Sequence, residues 1–332
     1  MNQQSVTVWG AGSWGTALAM VLAKHGRKVH LITRNQDTAD KLNHDHENAR
    51  YLKDKIFPNS LHAIGQEHPD LDAILQQSSA TVLALPCAVA EIALIRLQTF
   101  THPVIAANKG INPDTLERVD ELLIRFVGKQ RTLLLSGPSF AAEVASGKPT
   151  AITLAAANLD LAQDVAALFE DSNFRVYTST DLVGVALGGA LKNVIAIAAG
   201  IADGMHLGHN ALAALVTRGI AEISRLTVAC GGQPETMSGL SGLGDLLLTC
   251  TGSLSRNRKM GMALASGLSV EKAREYVGQV VEGEKTATAA VKLAQQCNVD
   301  MPITQMTYAV LQGETSPKHA LKALMERPQR DE

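Results

Sequence analysis

Residues 6–15 constrain this chain more than any other stretch. The apolar, β-branched run 6–9 stops at Gly10-Ala11-Gly12-Ser13-Trp14-Gly15, and an amphipathic run, 16–25, follows directly. Alone, G-x-G-x-x-G is a weak pattern; set between a strand and a helix it has a mechanical reading. Gly10 makes the tight turn, Gly12 lets the backbone approach a pyrophosphate, and Gly15 lets the helix pack closely on the strand. The helix N-terminus then offers free N–H groups and positive dipole to the phosphates. The stretch predicts dinucleotide binding.

The chain continues in the same rhythm. Runs 29–32, 81–85, 104–107, 132–135 and 151–154 read as strands, with helical patterns at 88–98 and 113–127. Several strands are apolar at consecutive positions, as expected when helices cover both faces of a parallel sheet. The pattern predicts a doubly wound, Rossmann-type α/β domain over residues 1–181. After Asp181 strand signals vanish, and helical periodicity recurs at 182–202, 211–230, 269–277, 286–296 and 303–312. Residues 182–332 are therefore expected to form an all-helical domain. Two domains suit 332 residues at about 150 each. Residues 326–332 read as a frayed polar tail.

Several function classes are disfavoured. Balanced charge, 30 Lys+Arg against 32 Asp+Glu, and 4% aromatics leave no footprint for nucleic acid. Residues 182–202 are apolar and long enough to cross a bilayer. Lys192 and Asn193 stand at their middle, however, where a charge costs about 2.5–3.5 kcal/mol. No membrane span is expected, only a buried helix. Residues 1–5 carry no basic segment, so no signal peptide is read there. Cys87, Cys230, Cys250 and Cys297 are far apart with no C-x-x-C pair, which fits neither a disulfide framework nor structural zinc. Reduced thiols in a cytoplasmic protein are the expectation. Gly147-Lys148-Pro149-Thr150 fails as a P-loop end, because Pro149 interrupts it and residue 142 is Ala. His44-x-His46 and His206-x-x-His209 lack completing ligands and read as surface or structural histidines, with no metal expected.

Other residues carry chemistry. The second strand ends Leu31-Ile32-Thr33-Arg34-Asn35, without the carboxylate that usually selects NAD. Arg34 would pair with a 2′-phosphate, or it is a solvated surface arginine; NADP is favoured and NAD stays open. Lys192 lies in a helix apolar on all sides. It is either a snorkelling residue or a desolvated acid/base whose proton affinity falls with burial. Gly239-Leu-Ser-Gly-Leu-Gly-Asp245 delivers Asp245 to a helix start, where an N-cap explains it fully; pairing with the lysine is the other use. Arg256 and Asn257, in a polar basic run with Ser255, suit a phosphate oxyanion or are a solvated face. Lys109 closes the fourth strand, and Ser136-Gly137-Pro138-Ser139 follows the fifth, at the carboxyl edge where open α/β sheets place ligands.

Taken together, the pieces resemble the bacterial NAD(P)-dependent glycerol-3-phosphate dehydrogenases. The matching segments are G-A-G-S-W-G-T-A-L-A (10–19), N-K-G (108–110), S-G-P-S-F-A-A-E (136–143), A-L-K-N-V (190–194), G-L-S-G-L-G-D-L (239–246), S-R-N-R-K-M-G (255–261) and V-V-E-G (280–283). The resemblance implies reversible hydride transfer between NAD(P)H and dihydroxyacetone phosphate, giving sn-glycerol 3-phosphate for glycerophospholipid synthesis. It implies Lys192 as acid/base and Asp245 as its orienting partner. Lys109, Gly137, Ser139, Lys192, Asp245, Ser255, Arg256 and Asn257 would hold the substrate. Ser13, Trp14, Arg34, Tyr51, Lys109, Ala141, Arg256, Val280 and Glu282 would line the coenzyme. The resemblance also implies a dimer, which the residues themselves do not show. Two readings stay open beside it: a relative of the same architecture reducing another substrate, such as a 3-hydroxy acid or a phosphorylated sugar acid, and a regulator that senses NADP without turnover.

Overall fold

A computed structural model describes residues 5–328. The chain forms two compact units, residues 1–109 with 119–185, and residues 110–118 with 186–332. It therefore enters the second unit twice.

The first unit is built on an eight-stranded sheet. Its strands are β1 (Ser5–Trp9), β2 (Val29–Thr33), β5 (Leu61–Gly65), β6 (Ser78–Leu83), β7 (Val104–Ala106), β8 (Thr132–Ser136), β9 (Thr150–Ala156) and β10 (Phe174–Ser179). A separate antiparallel hairpin joins β3 (Glu47–Asn48) to β4 (Leu52–Ile56). The sheet order is β10-β9-β8-β7-β6-β1-β2-β5, parallel except where β9 runs against β8. β2 and β8 are buried at all five positions, so both faces are covered. The covering helices are α1 (Ser13–Ala23), α2 (Gln36–Asp45), α3 (Leu71–Gln76), α4 (Cys87–Leu97), α5 (Val119–Val127), α6 (Ala141–Ala145) and α7 (Leu159–Ala166).

The expected α/β class is borne out, with particulars the sequence reading lacked. β5, β10 and the hairpin went unread: β4 reads Leu-Lys-Asp-Lys-Ile, too charged to signal a strand. The helix expected over 113–127 begins only at Val119. Asn112 Oδ1 accepts the Asp114 and Thr115 N–H groups at 2.9 and 3.2 Å, closing a local turn that replaces helix. Pro113 also disfavours helical backbone at Asn112.

The second unit is helical. α8 (Leu182–Gly204), which belongs to it from residue 186 onward, starts where Asp181 Oδ1 accepts the Gly184 N–H at 2.9 Å, an N-cap that explains the change of character at that residue. After it come α9 (Gly208–Ala229), α10 (Asp245–Thr251), α11 (Arg256–Ala265), α12 (Val270–Val277), α13 (Glu282–Gln296), α14 (Pro302–Leu311) and α15 (Pro317–Met325). α8 is the one helix among the described residues long and apolar enough to cross a membrane, and it is mostly buried. It crosses α11 at close range: a Cβ on Gly200 would stand 2.0 Å from Arg258 O, and one on Gly261 2.0 Å from Ile197 O. α14 starts on a side chain from another helix. The buried Glu222 carboxylate of α9 accepts Ile303 N–H at 2.7 Å and Thr304 N–H and Oγ1–H at 3.1 Å. Burial pushes that carboxyl above the usual range. In the expected polar tail, Arg327 is not frayed but bonds Asp300 Oδ2 at 2.6 Å. Residues 1–4 and 329–332, parts of the expected leaderless start and tail, lie outside the described residues.

Candidate active site

The glycine turn follows β1 at the point where strand order reverses between β1 and β6, the position at which open α/β sheets bind ligands. Gly10 has φ +116°, and a Cβ there would meet Ala84 O at 2.7 Å. A Cβ on Gly15 would fall 1.9 Å from Gly10 O, so α1 packs on the turn itself. Gly12 differs: a Cβ there would meet nothing within 4 Å. It points into open space at the head of α1, whose first turn has no side-chain cap. That is the cradle a pyrophosphate requires, since the unmade N–H bonds and the helix dipole both favour an anion. Ser13 and Trp14 open the helix. Asn48 ties the β3–β4 hairpin to this turn, donating to Ala11 O at 3.0 Å and Thr16 Oγ1 at 2.8 Å. The hairpin loop carries exposed Tyr51, with the Arg50 guanidinium 5.3 Å from its ring centre.

Arg34 stands exposed just beyond β2 and is without an ion pair among the described residues. On the other side of the sheet, Gly137 has φ +148° and brings β8 against Ile152 of β9. Ser139 Oγ donates to Gly137 O at 3.0 Å, and Ala141 opens α6. The Cys87 thiol donates to the carbonyl of Lys109, while Asn108 Nδ2 donates to Cys87 Sγ at 3.2 Å. Two buried side-chain atoms near these strand ends, Asn108 Oδ1 and Ser136 Oγ, have no hydrogen-bond partner among the described residues.

In the second unit the decisive geometry is around Lys192. Its side chain is 11% exposed, and Nζ donates to Asp245 Oδ1 and, at 3.0 Å, to Thr249 Oγ1. Thr249 Oγ1–H in turn reaches the Asp245 carbonyl at 2.6 Å. The snorkelling alternative for Lys192 therefore gives way to an internal ion pair. So does the N-cap alternative for Asp245, because it is the first residue of α10, with helical φ/ψ, and Gly244 holds the capping position. A π-helical turn over Leu240–Gly244, closed by Gly244 N–H to Gly239 O at 3.1 Å, aims the carboxylate at the lysine. Thr249 was not foreseen; its place one helical turn after Asp245 is the signal that could have found it.

Asn257 is buried and engaged. Its Nδ2 donates to Asn193 Oδ1 at 2.9 Å, and its Oδ1 accepts Gly283 N–H at 3.0 Å. Asn193 Nδ2 reaches Glu282 Oε2 at 3.3 Å, which pins the start of α13 beside α8 and α11. Ser255 is the N-cap of α11, its Oγ accepting Arg258 N–H at 3.2 Å. Arg256, the first residue of α11, and Val280 are exposed.

Comparison with known proteins decides what these parts belong to. Residues 5–162 match the family model for the NAD-dependent glycerol-3-phosphate dehydrogenase N-terminus, and residues 181–322 match its C-terminus. The chain belongs to the glycerol-3-phosphate dehydrogenase family.

Within that family of NAD(P)-dependent oxidoreductases, similar relatives span almost the whole chain. The glycerol-3-phosphate dehydrogenase (NAD(P)+) of Lysinibacillus sphaericus is 43% identical, covering 99% of this chain and 98% of its own. That of Halorhodospira halophila is 45% identical, covering 97% of each. The crystal structure of glycerol-3-phosphate dehydrogenase (gpsA) from Coxiella burnetii superposes with a TM-score of 0.90 at 38% identity, over 98% of this chain and 99% of that one. Both units of the chain are thus family-typical, including the helical one that holds Lys192.

Proposed function

We propose that this protein reversibly transfers hydride between NAD(P)H and dihydroxyacetone phosphate, giving sn-glycerol 3-phosphate for glycerophospholipid synthesis. The observation that carries the reading is the buried Lys192–Asp245–Thr249 set on a chain of this family. Residues 1–181 would serve the coenzyme and 182–332 the substrate and the proton. Gly10, Gly12, Ser13, Trp14 and Gly15 would hold the pyrophosphate, with Arg34 on the 2′-phosphate and Tyr51, Lys109, Ala141, Arg256, Val280 and Glu282 lining the rest. The bound nicotinamide supplies or accepts the hydride.

The chain's own residues do the remaining work. As the carbonyl is reduced, negative charge grows on its oxygen. The Lys192 ammonium stabilises that charge and donates the proton; in the reverse direction Nζ takes it back. Asp245 and Thr249 fix Nζ in one position, so the proton travels along a defined line rather than with a mobile side chain. Lys109, Gly137, Ser139, Ser255, Arg256 and Asn257 would hold the phosphate end and keep the carbonyl aligned. Asn257 spends part of its amide on Asn193 and Gly283, which favours a role in fixing the start of α11, with the exposed Arg256 guanidinium meeting the phosphate. A cytoplasmic dimer completes the proposal, on the family resemblance and the wide spacing of the four cysteines in the sequence.

The test follows the reduced coenzyme's near-ultraviolet absorbance with NADPH or NADH and dihydroxyacetone phosphate. Wild type should oxidise the coenzyme, and Lys192→Ala should lose about 100- to 10,000-fold in kcat while still binding it. Binding without turnover in wild type would sink the reaction; full activity in the variant would sink the role of Lys192.

A further inference from the structure

The four cysteines are scattered in sequence, but the fold brings two of them into contact. Cys230 and Cys297, 67 positions apart, have their Sγ atoms 3.8 Å from one another. Each sits directly beyond a helix. Cys230 follows α9 with its N–H on Leu226 O at 3.0 Å, and Cys297 follows α13 with its N–H on Leu293 O at 3.0 Å. The next residue in each case turns the chain through the left-handed region, Gly231 at φ +87° and Asn298 at φ +52°. Both backbones are thus held in place, and the thiols meet because two helix ends converge. We propose that Cys230 and Cys297 form an oxidative modification site, which a peroxide converts reversibly to an intramolecular disulfide in the folded chain.

Geometry and access separate this pair from the other two cysteines. A disulfide requires the sulfurs at about 2.05 Å, so from their 3.8 Å contact the two have about 1.8 Å left to close. Cys230 and Cys297 are both half-buried, within reach of a small oxidant. Cys250 is buried, and burial pushes its thiol up to about 12, which keeps it inert. Cys87 is engaged with Asn108 and the Lys109 carbonyl. The chemistry balances with hydrogen peroxide as oxidant. One thiolate attacks the peroxide, an S–O bond forms, the O–O bond breaks, and the departing hydroxide is protonated to water. The second sulfur then attacks the sulfenic sulfur; S–S forms, S–O breaks and a second water leaves. Two electrons pass from the sulfurs to the peroxide, and a thiol reductant restores the dithiol by exchange.

The link would join the end of α9 to the end of α13, the helix whose first turn holds Glu282 and Gly283 on Asn193 and Asn257. It would also restrain the unfolded chain over the 67-residue separation, which favours the folded form. The experiment treats the full folded chain with a small excess of hydrogen peroxide and maps its peptides by mass spectrometry without reduction. Expected are a mass loss of two hydrogens, one peptide joining Cys230 to Cys297, and unchanged monomer mobility on a denaturing non-reducing gel. Dithiothreitol should reverse all three, and the oxidised form should melt several degrees higher. Cys297→Ser should instead leave Cys230 as a sulfenic acid trapped by dimedone. Separate oxygen adducts on the two wild-type cysteines, a link between chains, or a link formed only in urea would each overturn the proposal. The wild-type map decides the matter even if the variant fails to fold.

Discussion

Burying an ammonium inside an apolar helix costs several kcal/mol unless a partner meets it, and here Asp245 arrives from 53 residues downstream to do so. That pairing was not legible locally. The sequence around Asp245 shows only a glycine-rich helix start, for which a cap is a sufficient account. What was legible was the oddity of Lys192, because an apolar pattern on every side leaves a charge unexplained until something distant explains it. The glycine fingerprint was the opposite case: Gly10, Gly12 and Gly15 each have a local role, and each shows it in the surroundings of its missing Cβ. Arg34 lies between these extremes, exposed and without an ion pair among the described residues, and the role proposed for it depends on a ligand. Arg34→Ala should raise KM for NADPH about 10-fold or more, the loss of a bidentate charge-assisted contact, and leave KM for NADH nearly unchanged. Equal effects on both coenzymes would remove Arg34 from the 2′-phosphate.

Elements depend on neighbours in ways that periodicity does not report. α8 was expected from its apolar run, but the reason for its glycines lies in α11, whose backbone reaches within contact of Gly200. Because Gly261 and Gly200 face backbone oxygens rather than flexible side chains, no small adjustment makes room. Gly261→Ala should therefore cost about 1–3 kcal/mol and lower Tm by several degrees, read by calorimetry against wild type. An unchanged Tm would mean that the crossing gives way more easily than its geometry indicates. The β3–β4 hairpin shows the same limit of local reading. Its charged strand carries no alternating apolar signal, and its position is set by Asn48 bonding across to the glycine turn. At 113–118 the sequence misled outright, since one asparagine side chain outcompeted a plausible helical pattern.

The whole molecule should be sensitive to acid through its first unit. His30 and His102 are buried there, and burial holds both near 4; Lys28, His62 and His68 add to the effect at His30, and Arg131 at His102. The unfolded chain binds these two protons below about pH 6.5, while the folded chain resists them until about pH 4. Stability is thus full above the unfolded value and falls as pH drops through that window, by about 2 kcal/mol for each histidine at pH 5. Urea unfolding should show a lower midpoint at pH 5 than at pH 7, and His102→Gln should flatten the difference. A midpoint independent of pH over this range would exclude both groups. The second unit carries a different kind of dependence, one of time. Glu222 belongs to α9, but the donors that satisfy it are Ile303 and Thr304, some eighty residues later. During synthesis, α9 leaves the ribosome before those donors exist, with only the charge of Arg225 on its own helix to favour the carboxylate, and water must keep hold of it until α14 follows. The helical unit can therefore close only once α14 has been made, and a chain cut short before it would leave the Glu222 carboxyl without the backbone donors that meet it in the folded protein.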